Sequence, residues 1–518
     1  MTTDDETHGG PAAAPPPDPV RAEAVLGEYA PLSALALDDA ERWPTLDAAG
    51  AARLAAVSDD PAAPTWVHRA GDRLLPADVA ALHEAARRWR RPTASEVTAS
   101  EVTASEATAP DAAPPAWVSA LVARAHEQVP RYRRLARAGR SGPTTPLRDL
   151  APVDREDLRR RIADFVPLDV PLDRVLEGTS SGSTGAALRI PLHPLFVAGD
   201  VVLIHRLLAE AGVDWRPAVD RLGLANVVDQ RAAFTYPSAM TAFPREDGEP
   251  VPVMARVNLD DGAWRRPGDR ERFLAAWDPQ VLSSSPLPLL RLVELARAGL
   301  DLHPVALVSG AAHLTPAVRR LVADTWDAPL IDLYGLRETG AVATRRDDGP
   351  FVVLPRHVWV EALDPGGAPC ADGVPGELTV TTDENPYLPL LRYRTGDQGA
   401  LRRRPDGTVE IHGLEGRAPV RYRHRDGTWR PSVDATQVLQ GHGVAAWELH
   451  QAADGAVRLR ALPAAGRTAA GEAAARAAAT AVGRLLDRDV RLDVVDGPVA
   501  FGGRKPRRFT SDLDPVAS

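Results

Sequence analysis

The chain of 518 residues contains one cysteine, Cys370, and one lysine, Lys505. A single cysteine excludes an internal disulfide and any zinc site that needs paired cysteines. Because lysine is so scarce, arginine carries almost all of the positive charge. Lysine is a compact charge on a flexible stem, so a lone lysine can reach into a site as a point charge in a way that arginine cannot.

An excess of positive charge and long apolar runs are also lacking. The formal net charge of -9 at pH 7 gives no reason to expect a general affinity for nucleic acid. No apolar run is long enough to span a bilayer, and the N-terminal residues lack the apolar core of a signal peptide. The sequence therefore favours a cytoplasmic enzyme or binding protein with no nucleic-acid or membrane partner; homodimerisation is left open.

Composition divides the chain into three regions. Residues 1–110 form an N-terminal extension with helical segments, a proline-rich tail and a Thr/Ala/Ser/Glu repeat at 93–109. The repeat unit is too short and too polar for a solenoid and predicts a flexible linker. Residues 111–415 alternate strand-like and helical patterns, which is typical of an α/β domain. Residues 416–518 predict a small α+β domain that carries Lys505.

Individual elements can be predicted within these regions. Apolar spacing predicts a helix over 117–129, and Asp154 is placed to cap a second helix. A third helix is predicted over 472–486. Strand patterns are found at 188–192, 330–333, 358–360, 378–380, 447–449, 457–462 and 490–495.

The segment Glu177-Gly-Thr-Ser-Ser-Gly-Ser-Thr-Gly185 concentrates glycines and hydroxyls, which can present backbone and side-chain donors to phosphates. It is not a Walker loop, because no Gly-Lys-Ser/Thr closes it and a strand pattern follows. The same segment matches the Gly-x-Ser-x-Gly nucleophile elbow of serine hydrolases at Gly178 to Gly182. That elbow requires a helix directly after the serine, so the hydrolase interpretation is disfavoured.

Further segments follow in a fixed order: Tyr334-Gly-Leu-Arg-Glu338, Arg392-Tyr-Arg-Thr-Gly-Asp397, Gly413-Leu-Glu-Gly-Arg417 and Lys505. Together with the phosphate-loop pattern, they resemble the AMP-forming adenylate superfamily, in particular its phenylacetate–CoA ligase-like branch. The resemblance covers roughly residues 114–512. It implies an α/β fold with a large N-terminal adenylate-forming domain and a small, mobile α+β C-terminal domain.

The resemblance also implies roles for the matching residues. Lys505 would span the α-phosphate and the substrate carboxylate, Glu338 would hold Mg²⁺, and Asp397 would take the ribose hydroxyls of ATP. Tyr334 would stack on the adenine, with Asp332 near its amino group. The other implied ATP-binding residues are Ser181, Gly182, Ser183, Thr184, Gly185, Ser309, Gly310, Ala311, Gly335 and Arg417.

Two features bear on the substrate. Relatives line their acyl pocket with the regions that here hold Tyr236, Ser238, Ser284, Ser285 and Pro286, whose small side chains suggest room for a ring. Arg337 replaces the short hydroxyl residue that relatives place beside the α-phosphate. Either Arg337 points away into a salt bridge, or its guanidinium contacts the α-phosphate or an unusual anionic substrate.

The implied reaction is an AMP-forming ligation. A carboxylate, expected to be aromatic, would react with ATP and Mg²⁺ to give an acyl-AMP, and coenzyme A would then displace AMP. The same chemistry could instead serve another anion or acceptor in secondary metabolism, as in amide ligases or in diazotases that activate nitrite toward an aryl amine. A non-catalytic nucleotide-binding relative and a serine hydrolase are the remaining alternatives.

Overall fold

A computed structural model describes residues 37–89, 114–180, 188–230, 233–416, 420–501 and 508–513. The predicted tail and repeat linker therefore lie outside the described residues. The phosphate-loop residues 181–185, Arg417 and Lys505 do so as well, and their roles stay predictions from the sequence.

The α-helices of the described residues, in chain order, are α1 Asp39–Arg42, α2 Ala48–Ser58, α3 Pro76–Arg88, α4 Ala116–Gln128, α5 Pro130–Arg137, α6 Arg155–Arg161, α7 Pro194–Glu210, α8 Asp269–Trp277, α9 Pro286–Arg297, α10 Pro316–Thr325, α11 Ser432–Gln440 and α12 Ala469–Leu486. The first ten strands are β1 Leu176–Ser180, β2 Leu188–Leu192, β3 Leu224–Val228, β4 Tyr236–Ala239, β5 Val253–Asn258, β6 Val281–Ser284, β7 Ala306–Ser309, β8 Leu330–Leu336, β9 Gly340–Arg345 and β10 Phe351–Val353. The others are β11 Val358–Leu363, β12 Pro375–Thr382, β13 Leu390–Arg403, β14 Val409–Glu415, β15 Arg421–Arg423, β16 Trp429–Pro431, β17 Val444–Gln451, β18 Val457–Pro463, β19 Val490–Val494 and β20 Phe509–Ser511.

The predicted elements are largely confirmed. All seven predicted strands are present, and the helices at 117–129 and 472–486 correspond to α4 and α12. Asp154 caps α6, because its carboxylate accepts a hydrogen bond from the backbone N–H of Asp157 at 2.8 Å. No helix of the described residues is long and apolar enough to cross a membrane.

A twelve-stranded mixed sheet forms the centre of the large unit, in the order β11-β12-β13-β14-β10-β9-β8-β7-β6-β3-β5-β4. The strands β5, β3, β6, β7 and β8 are mutually parallel, and Ser284 lies opposite Ser309, which lies opposite Asp332. The carboxyl ends of these strands therefore meet at one edge, where ligands bind in open α/β sheets.

The strands β1 and β2 form a separate antiparallel pair, in which Gly178 lies opposite Ile190 and Ser180 opposite Leu188. The strands on either side of residues 181–187, which lie outside the described residues, therefore pair with each other. A nucleophile elbow needs a strand followed by a helix, so this pairing argues against the serine-hydrolase interpretation.

The N-terminal segment, residues 37–89, packs into the large unit. Leu74, Leu82 and Trp89 belong to one apolar cluster with Ile331 of β8 and Leu203 of α7. Val57 and Ala63 belong to a second apolar cluster, the central core, which includes residues of β3, β5, β6 and β7. The extension predicted from the sequence is therefore, over these residues, an integral part of the large unit's core.

The small unit consists of a four-stranded sheet in the order β19-β18-β17-β20, with α11 and α12 packed on its core. Ala445, Leu462, Val495 and Phe501 extend from this unit into the central core of the large unit. The hydroxyl of Thr315 also donates to the Ala445 carbonyl at 3.3 Å. The two units are therefore joined by an apolar contact in this structure.

Candidate active site

A pair of side chains from two distant strands marks the candidate site. The Tyr334 hydroxyl on β8 donates a hydrogen bond to Oδ2 of Asp397 on β13 at 2.8 Å. Burial raises the pKa of Tyr334 well above its usual value, and the adjacent carboxylate raises it further. The phenol therefore stays protonated and acts as a donor. The structure thus brings together the two residues predicted to hold adenine and ribose.

The Thr395-Gly396-Asp397 turn positions this carboxylate. The Thr395 hydroxyl donates to the Leu378 carbonyl at 2.8 Å and accepts from the backbone N–H of Asp397 at 3.0 Å. Gly396 has a φ of 77°, which an L side chain rarely adopts. The turn therefore requires the glycine and fixes the direction in which Asp397 projects.

Glu338, at the turn between β8 and β9, is only 3% exposed and pairs with Arg155 of α6 at 2.8 Å. The Tyr393 side chain on β13 is also hydrogen-bonded to it. Arg155 is a site residue that the motifs did not reveal, because it lies 183 residues from Glu338 in the chain. The sequence around Arg155 predicts the capped helix α6 but gives no sign of the pairing with Glu338.

The donor set around Glu338 fits a magnesium ion that arrives with ATP. No cluster of three His, Cys, Asp or Glu side chains able to hold a metal occurs among the described residues. Mg²⁺, however, commonly binds one or two carboxylates and takes its other oxygens from substrate phosphates and water. A single carboxylate, held in place by Arg155 and Tyr393, meets that requirement. The magnesium role of Glu338 stays a prediction.

The segment predicted to face the adenine contains two unusual features. The hydroxyl of Ser309 is fully buried and has no hydrogen-bond partner among the residues that the structure describes. Ala311 adopts a left-handed φ of 61°, a strained conformation that often occurs at ligand sites. The Gly310 N–H donates to the Ser284 carbonyl at 3.0 Å, so Ser284 to Pro286 lie beside this segment. These features fit a nucleotide that would complete the site.

Asp332 is buried beneath this segment and contacts two arginines. Its Oδ2 accepts from Nε of Arg345 at 2.9 Å and lies 3.9 Å from Nη2 of Arg319. Burial raises the pKa of Asp332 to about 6, although the charge of Arg345 opposes the shift. One carboxylate oxygen is therefore occupied by protein donors, and contact with the adenine amino group stays a prediction.

Arg337 is half-buried, and its guanidinium lies beside β1. Its Nε lies 3.4 Å from the position that a Cβ atom would take at Gly178, two residues before the end of β1. It is also close enough to Asp200 on α7 for its charge to lower the pKa of that carboxyl. The guanidinium thus lies next to the strand that leads into the predicted phosphate loop.

The residues predicted to line the acyl pocket are divided by the fold. Ser284, Ser285 and Pro286 lie at the carboxyl end of β6, beside β7. Tyr236 and Ser238 lie on β4, the edge strand, with two strands between it and β6. At about 4.8 Å per strand this separates the two groups of residues by roughly 14 Å. Tyr236 instead packs edge-on against His68 of the N-terminal segment.

Comparison with curated proteins identifies relatives over parts of the chain. No family model matches. A phenylacetate–coenzyme A ligase of Aromatoleum evansii is 32% identical over 136 residues, which cover 24% of this chain and 31% of that ligase. The phenylacetate–coenzyme A ligase of Escherichia coli (strain K12) is 26% identical over 293 residues, which cover 53% of this chain and 63% of that ligase. The matched residues thus span less than two thirds of the length of either relative.

Comparison with solved structures extends the likeness to most of the chain. The crystal structure of 2-hydroxyisobutyryl-CoA ligase in the postadenylation state, in complex with R3-HIB-AMP, superposes with a TM-score of 0.55 at 18% identity. It covers 76% of this chain and 89% of the ligase. Over the matched residues the chain is similar to phenylacetate–coenzyme A ligases. At 18% identity the structural match shows the fold alone, and the predicted adenylate-forming ligase fold is confirmed.

Proposed function

We propose that this phenylacetate–CoA ligase-like chain is an ATP-dependent, AMP-forming ligase that activates a carboxylate and transfers the acyl group to coenzyme A. The observation that carries the proposal is the assembly of Tyr334 and Glu338, from β8 and the turn after it, with Asp397 of β13 and Arg155 of α6. The likeness to phenylacetate–coenzyme A ligases supports an acid as the substrate and coenzyme A as the acceptor.

The described residues provide most of the groups that such a reaction needs. The Asp397 carboxylate can accept from ribose hydroxyls while Tyr334 holds it in place. Glu338 would hold Mg²⁺, which neutralises charge on the phosphates as pyrophosphate leaves. Arg337, beside the end of β1, adds positive charge near the predicted phosphate loop. Lys505 would supply an ammonium between the α-phosphate and the carboxylate, which become joined in the adenylate.

The experiment that tests this function measures pyrophosphate and AMP release across aromatic acids, aliphatic acids and nitrite, with and without coenzyme A. We expect acid-dependent pyrophosphate release, and AMP and acyl-CoA formation only when coenzyme A is present. Lys505→Ala should lower adenylate formation by about 100-fold, as expected for the loss of one transition-state donor. The transfer step from preformed acyl-AMP should fall much less. Hydrolytic turnover without ATP would overturn the proposal.

Activation of a different anion is the second candidate, because the Arg337 guanidinium lies beside Gly178, near the predicted phosphate loop. A guanidinium there adds charge and volume, which would favour a small or strongly charged anion such as nitrite over a larger carboxylate. In the same assay, nitrite-dependent pyrophosphate release without any acid-dependent release would select this candidate.

We also propose that the enzyme acts in the cytoplasm.

A further inference from the structure

The predicted adenine site has two walls, which come from different parts of the large unit. One wall is the segment 309–315, called here the adenine segment, which connects the end of β7 to the start of α10. The other wall is the side chain of Tyr334 on β8. The strands β7 and β8 pair with each other only up to Ser309 and Asp332, so their ladder does not hold the adenine segment that follows. A side chain of β9, Arg345, contacts both walls.

Arg345 holds the adenine segment through a backbone carbonyl. Its Nη2 donates a hydrogen bond to the carbonyl of Leu314 at 3.0 Å. At the other end of the segment, the Gly310 N–H donates to a carbonyl of β6 at 3.0 Å. Between these two anchors, Ala311 has a left-handed φ of 61°. Such a conformation persists only where the surrounding structure enforces it, and the two anchors do so here.

Arg345 reaches the second wall through the ring of Phe351 on β10. The Arg345 Cζ lies 4.6 Å from the centre of this ring. The same ring meets the Tyr334 ring edge-on, with 6.2 Å between the ring centres. A cation over an aromatic face and an edge-to-face pair of rings are both attractive geometries. Arg345 is therefore linked to Tyr334 through one intervening ring.

Asp332 fixes the direction of this guanidinium. Asp332 and Arg345 lie opposite each other in the β8–β9 ladder, and Oδ2 of Asp332 accepts from Nε of Arg345 at 2.9 Å. The two side chains are only 2% and 12% exposed. A planar guanidinium can bond a carboxylate and a carbonyl at the same time, because its donors point in fixed and different directions. The pairing thus lets Asp332 act on the adenine site without touching the base.

A hydrogen bond to the amino group of adenine forms only within a narrow range of distances and angles. The spacing between the adenine segment and Tyr334 therefore decides whether the amino group is recognised. We propose that Arg345 is a positioning residue that sets this spacing and thereby gives the enzyme its preference for adenine over a purine without the amino group. This inference rests on the proposed function, because it takes ATP to be the nucleotide that binds between these walls.

The test compares the binding of two nucleotides in the absence of an acid. The probes are MgATP and the magnesium complex of purine riboside 5′-triphosphate, which is ATP without its amino group. The measurement is the Kd of each nucleotide by titration calorimetry. The wild type should bind ATP about 5- to 10-fold more tightly than the analogue, the effect of one neutral hydrogen bond.

Two variants assign this preference to Arg345. In Arg345→Met, which removes both hydrogen bonds, the ratio of the two Kd values should fall to within about twofold of one. Arg345→Lys keeps a positive charge opposite Asp332 but lacks the planar fork, so it should also lose the preference while retaining the fold. A purely structural role would weaken the binding of both nucleotides equally and leave their ratio unchanged. Thermal unfolding with and without nucleotide confirms that each variant is folded.

Arg403→Met is the matched control. Arg403 also lies over an aromatic ring, that of Trp359 at 4.5 Å, and donates to the Val360 carbonyl at 3.2 Å. It lies six residues beyond Asp397 on β13, about 20 Å along the strand. This variant should keep the wild-type ratio.

The remaining outcomes decide between the inference and the function on which it rests. A wild type that binds both nucleotides equally would overturn the inference, as would a ratio in either Arg345 variant that stays closer to the wild-type value than to one. The expected ratios without pyrophosphate release for any acid would overturn the proposed function alone. Absence of ATP binding to the wild type would overturn both.

Discussion

At the scale of single residues, Asp397 is the predicted site residue that its hydrogen bonds position most fully. The Tyr334 hydroxyl holds one of its oxygens, and Thr395 holds its backbone N–H. Such an arrangement orients a carboxylate in advance, so that a ligand binding to it does not have to order it first. Tyr334 therefore helps to orient the Asp397 carboxylate without having to contact the ribose itself.

Replacing Asp397 with asparagine should weaken ATP binding. The variant retains a side chain of the same size but loses the charge that strengthens hydrogen bonds to the ribose, so KM for ATP should rise by about 10- to 100-fold. The disadvantage of 2′-deoxy-ATP should shrink at the same time. The measurement is the KM for both nucleotides in each protein.

The control for this variant is Asp406→Asn, in the exposed connection between β13 and β14, where the carboxylate accepts from the backbone N–H of Thr408. It should leave both KM values unchanged. If Asp397→Asn discriminated between the two nucleotides as strongly as the wild type does, Asp397 would not be the ribose ligand.

Asp72 in the N-terminal segment predicts a pH dependence of stability. Its carboxylate accepts from the Thr241 hydroxyl and from the Leu74 N–H, but burial still raises its pKa from 3.8 to about 6. A carboxyl with a raised pKa contributes stability that is fully present below pH 3.8 and is lost as the pH rises through about 6. At neutral pH the ionised Asp72 therefore destabilises the fold.

Asp72→Asn should consequently raise the free energy of unfolding. The gain should be at most about 3 kcal/mol at pH 8 and about half of that at pH 5, where the wild-type carboxyl is largely protonated when folded. Urea denaturation at the two pH values measures it. A gain that is equal at both pH values, or larger at pH 5, would contradict the assigned shift.

At the scale of elements, the β8–β9 hairpin determines much of the site, because Tyr334, Arg337 and Glu338 all lie on it or at its turn. Gly335 allows the two strands to approach. A Cβ atom at Gly335 would lie 2.4 Å from the Gly340 carbonyl oxygen and 2.8 Å from Cα of Ala341. Both contacts are with backbone, which cannot rotate aside as a side chain can.

Gly335→Ala should therefore separate the strands. We expect a loss of about 1–3 kcal/mol in the free energy of unfolding, as for an overpacked core, together with a higher KM for ATP. Denaturation and nucleotide kinetics measure the two effects. Gly142→Ala is the control, because a Cβ atom there would meet nothing within 4 Å. If Gly335→Ala bound ATP as the wild type does, the hairpin would not be the element that positions the site.

Elements were more predictable from the sequence than the contacts between them. Strands such as β8 and β12 follow from local apolar patterns, and the turn at Gly396 follows from a glycine within a motif. The pair of Arg155 with Glu338 could not be predicted, because its partners lie 183 residues apart and neither position has a local pattern that specifies the other. Arg392 opens a recognisable motif, but its guanidinium is a buried structural anchor that donates to the Arg148 and Leu150 carbonyls.

At the scale of the whole molecule, the N-terminal segment was the least predictable part. Its helices α2 and α3 have no motif, and its residues lie outside the resemblance that identified the remainder. In the structure Trp89 lies under the guanidinium of Arg356, 5.1 Å from its ring centre, and α3 packs on α7, which contacts the β8–β9 turn through Phe196. The segment therefore supports the helix that packs against this turn.

This packing predicts that the segment and the large unit unfold together. Leu74 is fully buried in the cluster that includes Ile331 of β8, so Leu74→Ala should cost about 2–5 kcal/mol. Because Ile331 lies on the strand that carries Tyr334, ATP-dependent activity and tryptophan fluorescence should be lost at the same urea concentration, lower than in the wild type. Val67→Ala, at a side chain that is 44% exposed, should change the midpoint far less. If Leu74→Ala produced an early fluorescence transition after which activity persisted, the segment would be a separate folding unit, and its support of the site would be refuted.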